Sequence, residues 1–110
     1  MSIRQIHELL YKLGIGRNYL GHNIIVLAIQ IILRDKDCLL CVKDGIYLPI
    51  AEQHQCEWRT VERNIRTAIH RAWKLNRPFL EQMAFYPLED EPTVTEFLDI
   101  LSVFVSRISG

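Results

Sequence analysis

Apolar residues recur every three or four positions along most of the chain, which is the period of an amphipathic α-helix. The alternation typical of strands is weak throughout. The pattern therefore predicts a compact all-α domain of about six helices and no strands. The predicted helices cover about residues 3–13, 22–34, 38–44, 48–54, 58–75 and 94–106, and one or two further turns at 79–85 follow a break at 76–78.

Short signals at the helix ends support these boundaries. Ser2 with Gln5, and Thr93 with Glu96, have the spacing of a capping box, in which two side chains satisfy free N–H groups reciprocally. Gly14 is predicted to cap the end of the first helix. The segment from 35 to 45 is less regular. There Asp35 is expected to begin a short helix over 38–44 and Gly45 to interrupt the chain, with a strand over 38–42 as the alternative.

The segment 58–73 separates into two faces when it is wound at about 100° per residue. One face is apolar and predicts burial of Trp58, Val61, Ile65, Ala68, Ile69 and Ala72. The other face is a narrow stripe of Arg59, Arg63, Arg66 and His70. Because neighbouring like charges repel, the stripe costs stability unless an anion meets it, and a DNA groove is the obvious candidate.

The overall composition hides a strong charge asymmetry. The 110 residues, a length that predicts one domain over 1–110, have a formal net charge of zero. This zero is the sum of 13 basic and 13 acidic side chains. Residues 58–78 hold six basic side chains and one acid, whereas residues 79–100 hold six acids and no base. This distribution predicts a bipolar molecule, one end of which attracts phosphate.

Spacing within 48–73 is that of a helix-turn-helix. Ala51 supplies the small residue where two helices cross, and Val61, ten positions later, supplies the apolar contact. Gln55 stands where many such units have glycine, so a longer or differently shaped turn is expected. The pattern predicts sequence-specific binding of double-stranded DNA for transcription regulation, with the helix over 58–73 in the major groove.

These residues also resemble a known family. The run from Val61 to Trp73 is similar to the recognition helix of the C-terminal effector domain in the stage 0 sporulation protein A family. Further matches extend the resemblance over nearly the whole chain, at Ile6-His7-Glu8, Leu13-Gly14-Ile15, Tyr47 with Ile50-Ala51, and Pro92-Thr93 with Glu96-Phe97. The resemblance implies a six-helix DNA-binding effector domain of a sporulation response regulator.

It also implies roles for individual side chains. The family's base-contacting positions fall on Glu62, Arg63 and Arg66, with Thr67 beside them, and these charged side chains suit guanine and cytosine edges. Contacts to DNA phosphates are expected from Arg59, Thr60, His70 and Lys74. Thr67 and Thr60 replace a histidine and an arginine of familiar members, so fewer charged contacts to DNA are expected at these two positions.

Several partners and one rival function follow from this comparison. Family members carry a phosphorylated receiver domain, but Met1-Ser2-Ile3 is typical of a natural start and favours a stand-alone form. A dimer or tandem copies on DNA are expected, and the acidic stretch 89–99 is a candidate contact for RNA polymerase or its sigma subunit. The rival is a helix-turn-helix that docks a protein and has lost DNA binding, for which Thr60 and Thr67 are the best support.

Other chemistries are weakly supported, and no catalytic residue, metal or cofactor is predicted. Cys38 and Cys41 are interpreted as small core residues, since His54 and Cys56 do not provide a second zinc-ligand pair of the usual spacing. The histidines outside the stripe lack a nucleophile and are expected at the surface or as caps; they are His7, His22 and His54. Trp58 and Trp73 are interpreted as core residues and, less readily, as base-stacking platforms. Three cysteines, no signal peptide and no bilayer-length apolar run predict a cytoplasmic protein.

Overall fold

Every regular element in the computed structural model, which describes residues 3–108, is a helix. The elements follow one another as α1 (Ile3–Lys12), α2 (Leu20–Arg34), a 3₁₀-helix (Lys36–Leu40), a π-helix (Lys43–Tyr47), α3 (Leu48–His54), α4 (Trp58–Ala84) and α5 (Val94–Ile108). The predicted all-α architecture is confirmed, with five α-helices in the described range where about six helices were expected.

α2 is the central helix because it is apolar on almost every side. It packs against α1, α4 and α5, and its isoleucines Ile24, Ile25, Ile29 and Ile32 are fully buried. It approaches α4 closely at Gly21, where an added Cβ would lie 2.7 Å from the backbone oxygen of Asn64 and 3.1 Å from the Cβ of Ala68. Only glycine fits between two backbones this close.

α1 ends in a glycine cap, as the sequence predicts. Gly14 has a φ of +84°, its N–H donates to the carbonyl of Tyr11, and the N–H of Ile15 donates to the carbonyl of Leu10. Together these two bonds form a Schellman motif, which satisfies carbonyls that the helix leaves free. The predicted cap at Ser2 lies outside the described residues.

The predicted break in the long helix is also confirmed. Asn76 has non-helical dihedrals (φ −151°, ψ 54°) inside α4. Its side chain accepts a hydrogen bond from the N–H of Phe79 at 3.3 Å and donates one to the carbonyl of Lys12 at 2.8 Å. Asn76 therefore starts the last turns of α4 while it caps the end of α1, and Pro78 is tolerated because it follows the break directly.

Two expectations for the segment between α2 and α3 are wrong, and the alternative of a strand there is excluded. The side chain of Asp35 does accept from the N–H of Asp37 at 3.0 Å, but the helix that it begins is the 3₁₀-helix and not a helix over 38–44. Residues 38–42 form no strand. Gly45 lies within the π-helix and does not interrupt the chain; a Cβ there would come within 2.9 Å of the Cα of Cys38, so the two short helices touch through their backbones.

The start of α5 is the capping box that its sequence predicts. The N–H of Glu96 donates to the hydroxyl of Thr93 at 3.2 Å, and the N–H of Thr93 donates to the Glu96 carboxylate at 3.1 Å. The inward face of the helix is buried as expected at Phe97, Leu98, Leu101 and Val105, with Phe104 half-buried. The box fixes the point at which the acidic loop, residues 88–92, rejoins the core.

Candidate nucleic-acid interface

A three-residue turn joins α3 to α4. Gln55 adopts the left-handed conformation (φ 54°, ψ 49°). The N–H of Cys56 donates to the carbonyl of Ala51 at 3.0 Å, and the N–H of Gln55 donates to the carbonyl of Glu52 at 3.3 Å. This is again a Schellman motif, with glutamine in the glycine position. The expectation of a longer or differently shaped turn is therefore wrong, because Gln55 itself adopts the left-handed conformation that glycine usually provides.

The turn places α4 across α3 with one face buried and the other exposed. Ala51 of α3 is 4% exposed, and Val61 of α4 is fully buried, as their spacing predicts. The rest of the predicted apolar face is also in the core at Ile65, Ala68, Ile69 and Ala72, and Trp58 and Trp73 pack against it from half-buried positions. The stripe lies on the opposite side and is exposed at Arg59, Arg63, Arg66 and His70.

The four side chains predicted to contact bases lie together near the middle of this exposed face but differ in their partners. Glu62 and Arg66 form an ion pair of 3.5 Å between Oε2 and Nη2. The guanidinium of Arg63 has neither an ion pair nor a hydrogen bond to any of residues 3–108. The hydroxyl of Thr67 donates to the carbonyl of Arg63 at 2.9 Å, which leaves its lone pairs and methyl group for a ligand.

The four predicted phosphate contacts are more varied. The guanidinium of Arg59 lies 4.9 Å from the ring centroid of Trp58, and Lys74 is exposed near the far end of the stripe. Thr60 is only half-exposed, so it is the least accessible of the four. His70 already has a partner within the chain, since its Nδ1 lies 2.7 Å from Oε1 of Glu91.

The contact of His70 with Glu91 corrects the simple bipolar picture. The acidic loop folds back onto α4 and does not lie at the opposite end of the molecule. Its start is held by Arg77, which pairs with Glu81 at 3.7 Å and donates to the carbonyl of Leu88. An anion that approaches the stripe at His70 therefore meets a carboxylate that is already in place.

A groove of about 410 Å³ lies between α4, the π-helix and the acidic loop, and Tyr47, Glu62, Arg66 and Glu91 contribute to its wall. The Tyr47 ring is 3% exposed. Burial raises the pKa of the Tyr47 hydroxyl to about 12, an effect that Glu62 strengthens and Arg66 opposes. The hydroxyl therefore remains protonated at neutral pH and can act as a hydrogen-bond donor.

One histidine lies where the sequence did not predict it. His22 is fully buried, and its Nδ1 lies 2.8 Å from the carbonyl oxygen of Ile15, to which it can only donate. Its Nε2 then accepts from Nδ1 of His7, 2.7 Å away. Burial lowers the pKa of His7, and the charge of Arg17 and the neighbouring His22 ring lower it further. The pair joins α1 to α2 and has no local sequence signal.

Of the two cysteines interpreted as core residues, only Cys38 packs there. Cys38 packs against the core as expected, but Cys41 is exposed and its thiol donates to the carboxylate of Asp44 at 3.4 Å. Cys41 follows the 3₁₀-helix and has non-helical dihedrals (φ −145°, ψ 86°), so the helical spacing that would place it on the same face as Cys38 does not apply. Within residues 3–108, no three His, Cys, Asp or Glu side chains converge in a way that could hold a metal ion.

Comparison with known proteins bears on this exposed basic helix. No helix within residues 3–108 is long and apolar enough to cross a membrane. A search of curated protein sequences gave no significant match. The family described as "Sporulation initiation factor Spo0A C terminal" matches residues 6–105, which include all five α-helices except the ends of the first and the last. The chain therefore belongs to the Spo0A C-terminal family of DNA-binding regulatory domains, which is not a family of enzymes.

Proposed function

We propose that this chain binds double-stranded DNA sequence-specifically in transcription regulation, through a helix-turn-helix over about residues 48–73 of a single domain. The observation that carries the proposal is the exposed stripe of α4. A tight turn precedes it, the opposite face is buried, and the guanidinium of Arg63 is without a partner among the described residues. A basic helix face that the protein leaves unpaired fits the major groove of an anionic duplex.

The side chains divide into two roles. Arg63 and Arg66 can each donate two parallel hydrogen bonds to guanine, Glu62 can accept from cytosine, and Thr67 lies beside them. Arg59, Thr60, His70 and Lys74 flank this group along the helix and contact phosphates, which position the protein without reading the sequence. Before Arg66 contacts a base, it exchanges its ion pair with Glu62, an exposed pair of the kind that is worth about 0–1 kcal/mol.

Docking of a protein partner is the second candidate function. It is favoured by the two carboxylates on the exposed face, since Glu62 pairs with Arg66 and Glu91 contacts His70. A face with paired charges and an adjoining groove suits a protein surface better than a uniformly negative duplex. The acidic stretch 89–99 also remains our candidate contact for RNA polymerase or its sigma subunit.

The test is a fluorescence-anisotropy titration with two duplexes of equal length. One carries the recognition box of the sporulation initiation factor and the other a scrambled sequence, and both are titrated at about 50 and 200 mM salt. We expect salt-sensitive binding that prefers the box. Equal, weak binding to both duplexes would contradict sequence-specific recognition, and absence of binding at low salt would favour the docking function. Sedimentation of the protein with and without DNA then tests whether copies pair only on the duplex.

A further inference from the structure

The π-helix that precedes α3 brings a second element to the start of α4. Lys43 and Tyr47, its first and last residues, both contact the ring of Trp58. The Lys43 ammonium lies 4.8 Å from the ring centroid, and the Tyr47 ring stacks nearly parallel to the indole at 6.1 Å with an interplanar angle of 5°. A wider helical turn is uncommon and is found often at functional sites, and here it places a lysine beside the exposed stripe.

Two cations therefore share one indole. The Arg59 guanidinium lies 4.9 Å from the same ring centroid, so the two charges are at most about 10 Å apart. Neither Lys43 nor Arg59 forms an ion pair with a carboxylate anywhere in residues 3–108. Arg66 and His70 of the stripe differ in this respect, because each has a carboxylate partner, whereas Arg63 has none among residues 3–108.

Two charges at most about 10 Å apart can be met by the same or neighbouring phosphates of one DNA strand. Each cation is attracted to the indole ring, but the two repel each other, and contact with phosphate reduces that repulsion. Lys43 is a compact point charge on a flexible stem, a type of side chain that binds a phosphate oxygen without demanding one geometry. Lys43 lies on the π-helix, next to Arg59 at the first turn of α4, and is not among the side chains proposed to contact bases.

We propose that Lys43 and Arg59 together bind the DNA phosphate backbone and that Trp58 positions them. The proposal rests on the DNA-binding function proposed above and extends the interface from the helix-turn-helix to the π-helix. The ring of Trp58 is therefore a positioning group for two cations, and it does not stack on a base. The affinity that Lys43 supplies is independent of the DNA sequence and sensitive to salt.

The first test is the substitution Lys43→Gln, titrated against the box and scrambled duplexes at the two salt concentrations. Loss of one phosphate contact lowers affinity roughly three- to tenfold on both duplexes and reduces the slope of log K against log salt by about one. The matched control is Lys36→Gln, which removes the same charge from the 3₁₀-helix, where the lysine is exposed and has no contact with Trp58. We expect its slope to match that of the unsubstituted protein.

The second test asks whether Trp58 holds the lysine. In a Trp58→Leu background, which lacks the aromatic face, Lys43→Gln has a much smaller effect than in the unsubstituted protein, whereas Trp58→Phe preserves most of the effect. Thermal unfolding of each variant checks that it folds. If Trp58→Leu does not fold, the phenylalanine variant and the Lys43→Gln slope decide the question.

The outcomes separate this inference from the proposed function. If the unsubstituted protein binds neither duplex, the DNA-binding function fails and this inference fails with it. If it binds and Lys43→Gln behaves like Lys36→Gln, the DNA-binding function stands and the phosphate site at Trp58 is wrong. A loss of affinity confined to the box duplex also contradicts the inference, because it assigns Lys43 to a base.

Discussion

The two faces of α4 obey different physical constraints although they belong to the same turns of one helix. On the buried face, Gly21 of α2 approaches the backbone at Asn64 so closely that no side chain fits between them. On the exposed face, the charged side chains have at most one exposed partner each, as with Arg66 and Glu62. The buried face is thus fixed by packing, and the exposed face keeps charges that a ligand can take over.

This contrast separates the substitutions that affect folding from those that affect binding. Packed interiors resist changes of even one methylene group, whereas exposed ion pairs contribute little to the free energy of unfolding. Substitutions at Gly21 therefore act on stability, and substitutions along the stripe act on DNA affinity while the protein still melts normally. The two faces can be tested separately, by unfolding for the buried face and by DNA binding for the exposed one.

The largest effect is expected from Gly21→Val. Its side chain would meet the carbonyl oxygen of Asn64, which is backbone and cannot rotate away, so either α2 or α4 must shift. We expect a loss of about 3 kcal/mol in the free energy of unfolding, measured by urea denaturation. Asn23→Val, at an exposed position of the same helix, is the control for the helix propensity of valine. Equal losses in the two variants would show that the close approach is not what matters.

On the exposed face, Arg66→Ala is expected to have the largest effect on recognition. Loss of its contact to a base reduces discrimination between the box and scrambled duplexes by about 1–3 kcal/mol, with thermal unfolding nearly unchanged. The comparison is Lys74→Ala, a phosphate contact in our proposal, which weakens binding to both duplexes alike. A binding-site selection that returned the same sequence for Arg66→Ala as for the unsubstituted protein would remove the role of Arg66 in base recognition.

A gain of affinity is expected from Glu91→Gln. The substitution removes the carboxylate that lies 2.7 Å from His70. A DNA phosphate that contacts His70 then no longer competes with a fixed negative charge for this side chain. We expect DNA to bind about two- to fivefold more tightly at low salt and by less at high salt, by anisotropy. Glu89→Gln changes the net charge equally from an exposed position of the same loop. An identical gain there would mean that only net charge matters.

The smallest effect is expected at the turn between the two helices. Gln55→Gly removes the strain of a non-glycine residue in the left-handed conformation. Because glycine also has more freedom in the unfolded chain, we expect the free energy of unfolding to rise by only about 0.5 kcal/mol. Gln53→Gly, within α3, should lose about 1 kcal/mol by thermal or urea unfolding. If both glycines destabilise the protein, Gln55 is not strained in the folded state.

The features that local interactions control could be predicted from the sequence alone. Helical periodicity located α1, α2, α3 and α5 to within a few residues, because burial of one face requires that spacing. The Gly14 cap, the Asn76 break and the Thr93–Glu96 box were also predictable, since the capping bonds of each join groups at most five positions apart along the chain. The exposed arginine stripe follows from the same periodicity, whereas the family was indicated by the resemblance of particular residues, above all the run from Val61 to Trp73.

Only the tertiary structure decided the features that join distant parts of the chain. His22 is buried because His7, 15 positions earlier, and the carbonyl of Ile15 satisfy its ring nitrogens. Glu91 meets His70 across 21 positions, and the π-helix brings Lys43 to Trp58 through the packing of two short helices against each other. Such contacts depend on the path of the backbone between them. No pattern of neighbouring residues encodes that path, because it is set by how the helices pack around α2.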